Sequence, residues 1–177
     1  ASSAAWKLVG TGYNMLAVRL TDRNTPERRA TEPDLVLNAG DYYPNEAFDD
    51  YQAERRELLQ FLVDECVEDV VFVAGHTHVF LGGRLYPDYD DAASPLAAHE
   101  FVAGSLTADP PPEGVVKSLL GSDVSRAEAT DILRTVEAAG LDINKHLDYI
   151  NIVEQGYGLV DVTPDEVHVQ FRVIDTF

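Results

Sequence analysis

The sequence predicts an α/β fold, and three observations carry that expectation. An uninterrupted apolar run, Val70-Val71-Phe72-Val73-Ala74, follows a helix-period stripe after the short connection Glu68-Asp69. Two segments open with helix-capping chemistry. Tyr157 to Val162 and Val167 to Ile174 flank Thr163-Pro164-Asp165, and Val167, Val169, Phe171 and Val173 alternate with polar partners, as in a hairpin. Helix, tight connection and doubly covered strand belong to α/β architecture, in which a parallel or mixed sheet carries helices on its faces.

Trp6 to Val9 and Met15 to Leu20 read as short strands separated at Gly10-Thr11-Gly12. Thr21 to Asp34, with Pro26, Pro33 and many charges, reads as a solvated loop. Leu35-Val36-Leu37 then leads to a turn at Tyr43-Pro44-Asn45. The first helix is expected over Asp50 to Val67, with Asp49 as its cap and Gln52 in capping-box position. Tyr51, Arg55, Leu58, Leu59, Leu62 and Cys66 form its stripe, so Cys66 is expected as a packed thiol. Leu81 to Pro95 is rich in Gly, Pro, Asp and Tyr and reads as a loop. Glu100 to Leu106 reads as a strand, ended by the Pro110-Pro111-Pro112 break. A second helix is expected over Arg126 to Ala139, with a Ser125/Glu128 capping box and Gly140 as a left-handed C-terminal cap. No repeat, low-complexity tract or linker divides the chain.

Composition narrows the function. Acidic residues number 31 against 13 basic ones, a formal charge of -18, and such a surface repels phosphate backbones, so nucleic-acid binding through a basic patch is excluded. No apolar run approaches the roughly 20 residues of a membrane-spanning helix. Cys66 is the single cysteine and forms no internal disulfide. The start, Ala1-Ser2-Ser3-Ala4-Ala5, has neither an initiator methionine nor a signal peptide, so the chain is expected to be processed or part of something larger.

The sharpest motif is Gly75-His76-Thr77-His78, directly after the apolar strand. Ligands of open α/β sheets bind beyond the carboxyl ends of strands, where loops diverge. Two neutral imidazoles there can each offer a nitrogen to a transition metal, and Gly75 lets the backbone turn sharply between strand and ligands. The plainer alternative is two loop histidines bonded to neighbouring carbonyls. Two ligands complete neither a structural zinc site nor a two-metal centre. Cys66 is a poor addition. His99 and Glu100 either face the same edge or form a surface pair, His146 has no supporting pattern, and His168 falls on the polar face of the hairpin. Arg55 sits where an apolar residue is expected: either its stem covers the core with its head in water, or its guanidinium binds an anionic group. Asp49 and Asp50 read as charges that favour the helix dipole. Phosphate loops, nucleophile elbows, Cys-x-x-Cys pairs and dinucleotide fingerprints are missing from the sequence.

These residues resemble a known family. Val71 to His78 is similar to the last metal-binding block of calcineurin-like metallophosphoesterases. The surrounding segments resemble the alkaline phosphatase D (PhoD-like) branch: Trp6-Lys7-Leu8-Val9-Gly10, Phe48-Asp49-Asp50-Tyr51 to Arg55, Glu100 to Thr107, and the closing strands from His146 to Thr176. The resemblance implies an exported hydrolase of phosphate monoesters and diesters with an iron and calcium centre. Some secreted relatives act as phospholipase D on phospholipid headgroups. It makes His76 and His78 metal ligands, with Tyr51 and Arg55 as substrate-binding candidates at the helix entry. Metal ions in such enzymes polarise the phosphoryl oxygens and activate the attacking water.

Two departures qualify it. The family pattern is Gly-Asp-x-His, so His76 replaces an aspartate, and imidazole favours a softer metal than calcium, with zinc or manganese as alternatives. Phe48 replaces a tryptophan. The resemblance also covers only the carboxyl-terminal part of the family. Residues 1–177 are therefore expected to be the C-terminal half of a two-sheet sandwich with flanking helices, completed by an N-terminal fragment of the same enzyme that carries most of the metal ligands. The alternative from another class is a non-catalytic accessory domain with an adventitious His pair.

Overall fold

Seven strands and two helices emerge in a computed structural model, which describes residues 4–19, 48–108 and 124–174. The strands are β1 (Lys7–Gly10), β2 (Val70–Ala74), β3 (Phe80–Leu85), β4 (Ala98–Val102), β5 (Leu147–Asn151), β6 (Gln155–Val162) and β7 (Val167–Ile174). The helices are α1 (Gln52–Asp64), entered through a 3-10 turn at Phe48–Tyr51, and α2 (Arg126–Ile143). The expected α/β class is therefore observed. The loop at Thr21 to Asp34, the run Leu35 to Leu37, the turn at Tyr43 to Asn45, the Pro110 to Pro112 break and the match at Asp175-Thr176 lie outside the described residues.

The main sheet has the order β1-β2-β4-β3-β5. β2 pairs in parallel with β1 and β4, whereas β3 runs antiparallel to both β4 and β5. This places the carboxyl ends of β1, β2, β4 and β5 along one edge, together with the start of β3. As the apolar run predicts, β2 is an interior strand, and the successive residues Val70, Val71 and Phe72 are all buried. On one face Val70 and Phe72 pack with Leu59 of α1, Met15, Leu81, Leu85, Val102 and Leu147. Each large side chain buried there contributes about 1.5–3 kcal/mol. On the other face lies the β6–β7 hairpin, whose Phe171 ring meets Phe80, Phe101 and Tyr149 at centroid distances of 5.1, 6.4 and 5.4 Å. The two strands of the hairpin approach closely at Gly156, where a Cβ would overlap the Arg172 carbonyl oxygen and fall 3.1 Å from the Phe80 ring of β3.

Several sequence expectations are corrected. Residues 81–85, the start of the segment expected as loop, belong to the interior strand β3, because β4 and β5 on either side satisfy its backbone. Met15–Val18, expected as strand, joins no ladder. The strand expected at Glu100 to Leu106 ends at Val102. Asp49 does not cap α1: Tyr51 occupies the N-cap with no side-chain bond, and Gln52 Nε2 instead donates to the Asp49 carbonyl. Cys66 is exposed with a left-handed backbone, φ 51°, because α1 ends before it can face the core. The Ser125/Glu128 capping box forms as expected, but α2 continues through Gly140 to an Asn144 cap. Gly140 instead permits close packing, since a Cβ there would fall 3.1 Å from Ile150 Cδ1.

Candidate functional site

The Gly75–His78 loop leaves β2 at the shared carboxyl edge. It is flanked by Thr11, whose amide donates to the Val73 carbonyl, and by Ala103, whose amide donates to the Ala74 carbonyl. His76 and His78 adopt left-handed backbone with φ of 73° and 58°. Such conformations are uncommon outside glycine and are held by surrounding structure, often at functional sites. Gly75, expected to make the sharp turn, is not left-handed; the two histidines take that conformation instead. His76 is exposed, His78 half-buried and Thr77 buried. The Thr77 hydroxyl has no hydrogen-bond partner among the described residues. The Tyr13 ring stands edge-on to the His76 imidazole at 5.1 Å.

Beneath this edge lies a buried polar cluster that organises residues 14–19. Residues 14–17 are buried and residues 14–18 belong to no sheet, so their polar backbone groups need other partners. Side chains from across the fold supply them. Glu100, in the middle of β4 and 0% exposed, accepts the Met15 amide at 2.8 and 2.9 Å and the Leu16 amide at 2.6 Å. Asp49 accepts the Val18 amide at 3.0 Å, and His146 Nε2 lies 2.7 Å from the Ala17 carbonyl oxygen. That carbonyl can only accept, so the imidazole carries its proton on Nε2. Asn144 brackets Arg19, accepting its amide and donating to its carbonyl.

Arg55 joins the cluster from α1. Its Nη1 donates to Asp49 Oδ1 at 2.5 Å and to the Met15 carbonyl at 3.3 Å, while the guanidinium carbon lies 5.2 Å from the centre of the Tyr89 ring. The residue is only 4% exposed, so its head does not reach water as one sequence reading expected. Tyr51, at the entry to the same helix, is 61% exposed.

Low dielectric displaces the cluster's titrations. Burial raises the Glu100 carboxyl to about 7, against the opposing pull of the Met15 and Leu16 amides and the Arg55 charge. Burial lowers His146 to about 4, despite its bond to Ala17, and the charges of Arg19, Arg55 and Arg84 lower it further. Burial also raises the Tyr89 phenol, against the opposing pull of the Arg55 charge. At neutral pH the cluster thus keeps a fixed Arg55–Asp49 pair, a neutral His146 and a Glu100 near its midpoint.

The remaining candidates separate. His99 is exposed while Glu100 is fully buried, so they neither share an edge nor form a surface pair: adjacent strand residues point to opposite faces. His168 is exposed on the hairpin. Sequence reading missed Tyr89, His146 and the buried role of Glu100. For Glu100 a signal existed, since Ala98, Glu100 and Val102 share one parity and both neighbours are apolar. For Tyr89 and His146 no local periodicity could reveal burial.

Among the described residues no group of three or more His, Cys, Asp and Glu side chains could hold a metal ion. The His76 and His78 donors are chemically suited to a transition metal but amount to part of a shell, not a whole one.

The family model of PhoD-like phosphatases matches residues 1–171. Alkaline phosphatase D of Bacillus subtilis (strain 168) is 26% identical over 137 residues, which cover 77% of this chain and 20% of that protein. A solved structure of PhoD matches with a TM-score of 0.60 at 16% identity, covering 100% of this chain and 33% of the solved one. The structural likeness concerns the fold, and the chain spans only a third or less of either relative's length. The family model covers nearly the whole sequence, and the chain belongs to the PhoD-like phosphatase family.

Proposed function

We propose that this chain contributes the His76–His78 loop to the metal centre of a phosphoester hydrolase, with a complementary N-terminal portion of polypeptide supplying most other ligands. The observation that carries this reading is the pair of imidazoles on left-handed backbone at the carboxyl edge of a parallel strand. Family membership supplies the reaction class, and the partial coverage of both relatives fits a division of the centre between segments. The buried Thr77 hydroxyl fits it too, because an unpaired buried hydroxyl costs about 1–3 kcal/mol and gains a partner when another segment docks.

When bound, an iron, calcium, zinc or manganese ion supplies Lewis-acid polarisation of a phosphoryl oxygen, with imidazole at 76 favouring a softer ion than calcium. The chain's own part is positional. His76 and His78 present nitrogen donors, Tyr13 limits the swing of the His76 ring, and Tyr51 offers an exposed phenol at the helix entry. Arg55, one turn further along, is buried against Asp49 and the Met15 carbonyl, so its part is to hold that entry in place rather than to meet substrate directly. The proposed substrates are phosphate monoesters and diesters, including phospholipid headgroups in the manner of phospholipase D, and the proposed setting is extracellular.

The test is metal stoichiometry and hydrolysis of a monoester and of phosphatidylcholine, measured on this chain together with its complementary portion. His76→Ala and His78→Ala should each lower bound metal and remove activity together. Unchanged metal and activity in both variants would refute the proposal. A second reading, an accessory domain with an adventitious His pair, is favoured by the lack of a third ligand among the described residues. It predicts weak, substoichiometric metal and no hydrolysis.

A further inference from the structure

We infer that Glu100 is a positioning residue for the His76 imidazole: by holding the amides of Met15 and Leu16 it fixes the segment that sets the Tyr13 ring edge-on against His76. Its functional sense rests on the proposed reading of His76 as a ligand; the mechanical coupling does not.

Tyr13 is 47% exposed, so packing alone does not hold it. Two anchors do. On one side Thr11 Oγ1 accepts the Tyr13 amide at 3.3 Å and donates to the Tyr13 carbonyl at 3.0 Å. On the other, two residues along the chain, the Glu100 carboxylate grips Met15 and Leu16. The same segment receives Arg55 at the Met15 carbonyl and offers the Asn14 carbonyl to the Phe48 amide and the Val18 amide to Asp49. Residues 13–18 therefore form a continuous physical link from the helix entry carrying Tyr51 to the ring of His76.

A carboxylate is a costly way to secure backbone in an apolar interior, because desolvation opposes its charge. An apolar residue at position 100 would pack against Phe72 in β2 but leave two buried amides without acceptors. A carboxylate satisfies both from one point and leaves the segment only one placement. Nothing else described accepts these two amides. The coupling reaches the loop through the Tyr13–His76 ring contact, so its signature is the magnetic environment of one imidazole.

The experiment uses nuclear magnetic resonance on the full chain without added metal. The His76 ring resonance is identified by its loss in His76→Gln. Tyr13→Ala should shift that resonance by removing the neighbouring ring current. Glu100→Gln keeps the side-chain shape but turns one acceptor into a donor beside the Met15 amide, and it should shift the same resonance in the same direction. Leu133→Ala, which opens a cavity in the separate Ala129–Leu133 cluster, should destabilise the chain and leave the resonance in place. A folded Glu100→Gln chain with His76 unmoved would overturn the inference, as would an unmoved resonance in Tyr13→Ala. If Glu100→Gln does not fold, Glu100→Asp, which retracts the carboxylate by one methylene, is read by the same criterion. Metal stoichiometry unaffected by His76→Ala would overturn the ligand reading alone, so the two failures are distinguishable.

Discussion

Replacing Glu100 with glutamine isolates one buried proton's share of folding stability. Burial raises Glu100 from 4.5 to about 7 and lowers His146 from 6.5 to about 4. The folded chain holds the Glu100 proton more tightly than the unfolded chain, so this contribution is complete below 4.5 and is lost as pH rises through about 7. The folded chain resists protonation of His146, so that contribution stands above 6.5 and is lost as pH falls through about 4. Each folded value differs from its ordinary one by about 2.5, equivalent to about 3 kcal/mol at full extent. Between pH 8 and pH 5, Glu100 gains about 2.5 kcal/mol and His146 loses about 2, so the two nearly cancel. Glu100→Gln removes the gain and leaves the loss. Urea unfolding followed by circular dichroism at both pH values measures the effect. The deficit of the variant relative to the parent should grow by about 2.5 kcal/mol from pH 8 to pH 5. Groups common to both proteins drop out of that comparison. A deficit that changes by less than about 1 kcal/mol, or that shrinks at pH 5, would refute the reasoning.

Three further outcomes are expected. Arg55→Met removes the guanidinium that bonds the buried Asp49 carboxylate and should destabilise the chain by about 3–5 kcal/mol; Arg55→Met with Asp49→Leu should recover part of that loss in the same urea titration. Gly156→Ala places a methyl against the Arg172 backbone oxygen and should lower stability by about 3 kcal/mol, read as a lower thermal midpoint. Ser125→Ala removes the acceptor for the Glu128 amide and should cost about 1 kcal/mol, with faster amide exchange confined to the first turn of α2.

The parts of the fold legible in the sequence are those governed by local rules. Val70–Ala74 is recognisable because a strand covered on both faces needs no polar alternation, and the Ser125/Glu128 box because its two bonds span three residues. The hairpin follows from the turn Thr163-Pro164-Asp165 and the alternation of Val167, Val169, Phe171 and Val173 after it. Phe80–Leu85 was not legible because Gly82 and Gly83 argue against a strand in isolation. Their reason is tertiary: a Cβ at Gly83 would fall 2.5 Å from the His146 carbonyl oxygen. Met15–Val18 misled for the opposite reason, since its apolar run reflects burial against side chains rather than pairing with a strand. At the candidate site the His76–His78 motif stood out because loop and strand adjoin in sequence. The Glu100–Arg55–Asp49–His146 cluster did not, because its members converge from three elements and a loop with no common period. Arg55 was visible as an anomaly on its helix stripe, but only the fold shows that Asp49, read as a dipole partner, is its counter-ion.

Trp6, the single tryptophan in the sequence, donates from its indole nitrogen to the Thr163 carbonyl in the turn of the terminal hairpin. Its emission is therefore a native optical probe of the seam between β1 and that turn. Undocking of the hairpin should redden and alter the fluorescence while the helical ellipticity of α1 and α2 persists. A gap between the two signals during denaturation would reveal the order in which the molecule comes apart, with no dye or engineered label.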